Sequence, residues 1–161
     1  MSRVLYLFFA LSTLLSIAEA GAQTIALGER APRIKKATWF NSTKPPQSDF
    51  TFIQFIHSAS VSCRQATERL GEIVEAIPNA TFIVVTHQSA GDIDSWVSKC
   101  AKPRTGIIVD DIDIRNSFGV NYAPYVVILD YKSRVLWFGN PQLLDRKAID
   151  KIMAIKLDRP R

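Results

Sequence analysis

Two short apolar runs, "TFIQFIH" (Thr51 to His57) and "TFIVVTH" (Thr81 to His87), flank a segment of helical spacing, and this order limits the possible folds more than any other feature. Each run is β-branched, aromatic and almost wholly apolar, as suits a strand covered on both faces. Between them, "SCRQATERLGEIVEAI" (Ser62 to Ile77) sets Leu70, Ile73, Val74 and Ile77 at helical spacing, and Pro78 with Asn79 stops it. A strand, a helix and a strand in that order imply a parallel sheet with a right-handed crossover.

The rest of the chain extends this unit. From Ala90 to Cys100 the spacing of Ile93, Trp96, Val97 and Cys100 predicts a second helix, ended by Pro103. "GIIVDD" (Gly106 to Asp111) reads as a further strand, and "IDIRNSFGV" supplies a short helix closing at Gly119. "APYVVILD" (Ala123 to Asp130) and "RVLWFG" (Arg134 to Gly139) are joined by the tight "YKSR" turn, so they are expected to be antiparallel. "LLDRKAIDKIMAIKL" makes an amphipathic last helix. Ahead of the core, Gly28, Pro32, Pro45 and Pro46 break up any long element, which leaves an irregular lead-in with at most one short strand pair. The expected class is α/β, a central mixed sheet with helices on both faces, and 161 residues suit one domain.

Residues 1–22 read as a secretory signal peptide ahead of a domain at 23–161. Arg3 precedes an apolar run from Val4 to Ile17, then small residues at Ala18, Ala20 and Ala22. The run falls short of the roughly 18 residues of a spanning helix, so a membrane contact is expected only through an uncleaved leader. The expected location is periplasmic or secreted, outside the reducing cytosol, where two thiols can pair or react. Cys63 and Cys100 are the two cysteines. The net charge of +5 is spread along the chain without a like-charge block, which argues against a nucleic-acid partner. Neither a glycine-rich phosphate loop nor a zinc-spaced cysteine and histidine set is present, so no cofactor and no metal is expected.

This order of elements, with a thiol at the start of the first core helix and a proline opening a later strand, resembles the thioredoxin-like superfamily. It is most similar to the exported thiol-disulfide oxidoreductases of cytochrome c maturation. The segments that carry the likeness are "IQFIHSASVSCR", "FGVNYAPYVVILD" and "RVLWFG", in order and over roughly Leu27 to Ile155. In that superfamily the first segment holds a Trp-Cys-x-x-Cys-Arg motif. Here Cys63 falls on the second cysteine, Ser60 on the first, Ala59 on the tryptophan, and Gln54 where many thioredoxins have a buried acid. The resemblance implies a cis Pro124 opposite the thiol, with Ala123 and Tyr125 lining a surface for an extended peptide.

Disulfide exchange needs one thiolate to attack and a second thiol to release the mixed disulfide, and a serine hydroxyl replaces neither. The two-cysteine cycle within this motif is therefore excluded. Cys63 alone, beside the positive end of a helix dipole, retains the possibility of monothiol chemistry. His57 and His87 end parallel strands at the edge where such folds place their sites, and either ring could serve the thiol as a base. The ordinary alternative makes each a strand-end residue. A helix over 91–100 carries Cys100 roughly 15 Å towards the opposite edge, beyond the about 7 Å that a disulfide spans, so Cys63 and Cys100 are expected to be unpaired and Cys100 to be a small buried apolar residue.

Three functions remain. The first is an exported thioredoxin-like protein with an altered Ser-Val-Ser-Cys site and monothiol redox activity on envelope proteins. A second is a binding or assembly factor that uses the same groove for a protein or peptide partner without catalysis. The third is a peroxiredoxin-like peroxidase, since Ser60 lies three residues before Cys63; the proline that family has seven residues before its cysteine is replaced here by Ile56.

Overall fold

The computed structural model describes residues 25–40, 44–89, 91, 93–100, 102–110 and 112–155. The leader expected at 1–22 lies outside the described residues. In chain order the elements are β1 (Thr38–Trp39), β2 (Phe50–Ile56), α1 (Val61–Ala76), β3 (Ala80–Thr86), α2 (Ser95–Ser98), β4 (Thr105–Val109), α3 (Asp113–Ser117), β5 (Tyr125–Asp130), β6 (Val135–Gly139) and α4 (Arg146–Met153).

The described strands form one six-stranded sheet in the order β1-β4-β3-β2-β5-β6. Strands β2, β3 and β4 run parallel, while β5 is antiparallel to β2, β6 to β5, and β1 to β4. The mixed sheet follows from the connections: helical crossovers join the parallel strands, and the turn after Asp130 forces a reversal. Asp130 is almost fully buried and accepts from the Lys132 and Arg134 backbone N–H groups through Oδ1 and from Arg134 Nε through Oδ2.

Two apolar layers cover the two faces. Phe52, Ile56, Val84, Val126 and Ile128 meet Cys63, Leu70 and Val74 of α1 and Ile149 and Ile152 of α4. On the opposite face, Ile53, Phe55, Val85, Ile108 and Val127 meet Ile114, Phe118, and Ile25 and Ala31 of the lead-in. The lead-in is seated by Gly106, where a Cβ would come within 2.6 Å of both Pro45 Cδ and Trp39 Cζ3. Glycine allows this close approach.

Three expectations need correction. The helix expected from Ala90 to Cys100 is only α2, Ser95–Ser98. Gln88 clasps Asp94, the residue that precedes α2: its Oε1 accepts from the Asp94 backbone N–H and its Nε2 donates to Asp94 Oδ2. Cys100 is half-buried rather than buried, lining a hollow of ≈ 300 Å³ with Glu68, Trp96 and Lys102. Its Sγ donates to the Trp96 carbonyl. The last helix is also shorter than its apolar spacing suggests, because Asp145 caps it at Ala148 N–H and Leu144, fully buried, packs before the first turn.

Candidate functional site

The site is built where β2 ends and α1 begins. Residues 57 to 60 form a turn closed by the Ser60 N–H to the His57 carbonyl. Ser60 then caps α1: its backbone is extended, its Oγ accepts from the Cys63 N–H at 3.3 Å, and it also meets Ser62 Oγ at 2.9 Å. This is the ordinary N-cap role of serine, which satisfies one of the unpaired N–H groups of a first helical turn. The residue at the outer position of the motif is therefore a structural cap.

Cys63 is fully buried in the layer under α1. Its Sγ accepts from the His57 backbone N–H at 3.3 Å. Both cysteines are free. Gln54 shares the thiol's layer: its sheet partners Val84 and Val126 both line the cluster that contains Cys63. It is fully buried, and neither Nε2 nor Oε1 has a hydrogen-bond partner.

Pro124 meets the same edge from β5. The antiparallel register pairs Phe55 with Tyr125, so the next step sets Pro124 beside Ile56 and Ala123 beside His57. The Ala123–Pro124 bond is cis. Pro124 and Tyr125 are buried and Ala123 is half-buried against the Cys63 layer. Burial holds the Tyr125 hydroxyl above its ordinary range, and Tyr122 adds to this. Tyr122 itself is 50% exposed and stands edge-on to Tyr125 with ring centroids 5.1 Å apart. Across the edge, Val61 at the first position of α1 is 69% exposed.

His57 and His87 reach this edge, but not as partners of the thiol by their rings. The thiol's contact is with the His57 backbone; both imidazoles are exposed and face each other with centroids 4.8 Å apart. Two anchors of the turn carry little sequence signal. Trp96 Nε1 donates to the Ser58 carbonyl while its ring lies under Arg64, and Arg115 Nη2 donates to the Ile56 carbonyl. Each bridges segments far apart in the chain, so nothing in the local sequence around Trp96 or Arg115 points to its partner. Among the described residues, no group of three or more His, Cys, Asp or Glu side chains is placed to hold a metal ion, and no helix is long and apolar enough to cross a membrane.

No family model and no curated protein matches the chain. Solved structures do. A thioredoxin-like protein from Aeropyrum pernix superposes with a TM-score of 0.56 at 16% identity, over 71% of this chain and 80% of its own. A peroxiredoxin-like protein from Aquifex aeolicus gives 0.60 at 14% identity, over 81% and 87%. A secreted Mycobacterium tuberculosis disulfide oxidoreductase homologous to E. coli DsbE gives 0.50 at 22% identity, over 58% and 70%. At these identities the likeness is one of fold. The strand order, the helix layers on both faces and these superpositions together establish that the chain has an α/β thioredoxin fold.

Proposed function

We propose that this is an exported thioredoxin-like protein that docks an extended segment of an envelope protein along the edge between Val61 and Tyr122, beside Pro124, without turning over a disulfide. The observation that carries the reading is the state of the two motif positions. Ser60 is engaged as a helix cap and Cys63 is wholly enclosed, so an incoming disulfide meets a hydroxyl rather than a thiol. Exposed apolar side chains beside a strand-opening proline suit recognition of an extended chain through backbone groups and alternate side chains.

A second reading, monothiol redox activity, is favoured by one contact. The His57 N–H directed at Cys63 Sγ would help hold a thiolate once the turn opened. One experiment separates the two: reduction of insulin and of a glutathione mixed disulfide by wild type and by Cys63→Ser, with peroxide consumption measured alongside. Equal background rates in all three assays, together with retained binding of an envelope client by both proteins, support docking. Thiol-dependent turnover that Cys63→Ser abolishes refutes it in favour of the monothiol reading, and peroxide consumption lost in the same variant would point to a peroxidase.

A further inference from the structure

We propose that His57 and His87 form a two-imidazole site for a divalent transition-metal ion, open to solvent on its remaining coordination positions. This does not depend on how the thiol or the peptide edge is used.

The pairing is a product of the sheet. Strands β2 and β3 run parallel with Thr51 opposite Thr81, Phe52 opposite Phe82, and so on to Ile56 opposite Thr86. One further step sets His57 opposite His87 on the same face. Parallel neighbours lie about 4.8 Å apart, and the ring centroids are separated by 4.8 Å. The imidazoles thus stand at the spacing of the backbones that carry them.

That spacing suits chelation. Two imidazoles bound in neighbouring positions of one ion, each through a nitrogen at about 2.0–2.1 Å, have ring centroids about 4.5–5.2 Å apart for angles of about 90–110° at the metal. The observed separation lies inside that interval, with the two rings inclined at 52° to each other. Both rings are exposed, so an ion reaches them without opening the core.

The backbone on either side is held. The His57 N–H is bonded to Cys63 Sγ, the preceding carbonyl of Ile56 accepts from Arg115, and beyond His87 the Gln88 N–H donates to Thr86 Oγ1. Binding therefore orders two side chains rather than a loop. The Arg115 guanidinium, one residue from His57, opposes a cation and limits affinity. Imidazole ligands select copper, nickel and zinc over the hard cations, and Cu2+ is the strongest of these by the usual order of divalent ions.

The chain has two histidines in all, which makes the test clean. Tag-free protein is titrated near neutral pH with Ni2+ by calorimetry and with Cu2+ by electron paramagnetic resonance. Expected are one ion per chain, hyperfine coupling to two nitrogens, and, without any substitution, selective broadening of the two imidazole proton signals by substoichiometric Cu2+. His57→Gln and His87→Gln are each expected to weaken Ni2+ binding by at least the about tenfold that loss of a supporting group costs a metal site. Their double variant should be no weaker than either single one beyond residual surface binding. The proposal is overturned if wild type shows no saturable binding, if either single variant binds as tightly as wild type, or if a sulfur-to-copper charge-transfer band shows that a cysteine holds the ion.

Discussion

Replacing Ser60 by cysteine asks whether the fold still holds a dithiol geometry that the sequence has abandoned. The substitution first removes a cap. Loss of a serine N-cap costs about 0.5–2 kcal/mol, and the 3.3 Å length of the Ser60 Oγ to Cys63 N–H bond places this case in the lower half of that range. The Ser62 hydroxyl at 2.9 Å loses its partner as well, but it is partly exposed and water replaces most of that contact. Reduced Ser60→Cys should therefore be about 1 kcal/mol less stable than wild type. Oxidation closes a four-residue loop, for which the chain-entropy estimate is about 2 kcal/mol. Positions 60 and 63 bracket one helical turn, where Cα separations of about 5–6 Å fall within the span of a disulfide. The oxidised variant should accordingly exceed wild type by about 1 kcal/mol in urea denaturation, lose two hydrogens by mass, and reduce insulin with dithiothreitol faster than wild type does. A variant that folds, keeps both thiols free in an oxidising glutathione buffer and stays inactive would refute the claim that the turn still holds a dithiol geometry.

Gln54→Met replaces a fully buried carboxamide without partners by an apolar side chain of similar size, and should stabilise the protein by about 1–3 kcal/mol in equilibrium urea unfolding. A loss of more than about 1 kcal/mol would mean that the amide is satisfied in solution. Gly106→Ala drives a Cβ into Pro45 and Trp39 and should cost about 1–3 kcal/mol, with the loss measured by thermal unfolding; an unchanged midpoint would show that the lead-in is not seated there. Burial raises the Cys100 thiol above its ordinary 9.0, with Glu68 adding to the shift and Lys102 opposing it. Its alkylation by iodoacetamide should lag behind that of a free thiol and accelerate only above that pH. The unfolded chain releases this proton first, so the stability associated with the neutral thiol is intact below pH 9.0 and declines as pH rises beyond it. Cys100→Ser should flatten that alkaline decline.

The fold was legible because apolar periodicity reports burial directly. Thr51 to His57 and Thr81 to His87 read as strands covered on both faces, and they are the central parallel pair. The second helix is shorter than the same signal suggests. The spacing of Ile93, Trp96, Val97 and Cys100 shows which side chains turn inward, but not that the helix is confined to Ser95–Ser98, behind an Asp94 clasped by Gln88.

At the site, the chain itself determined the chemistry that is absent: with serine at position 60 there is one sulfur in the motif, whatever the surroundings. Tertiary structure decided how accessible that sulfur is, because burial depends on α1, β2 and β5 closing over it from distant parts of the chain. It also decided what the histidines meet. Thirty positions separate His57 from His87 along the backbone, and only the register of two parallel strands sets their rings 4.8 Å apart. Local sequence encodes which groups exist and which way each alternates; the distance between groups on different strands is a property of hydrogen-bonded pairing, and no single segment contains it.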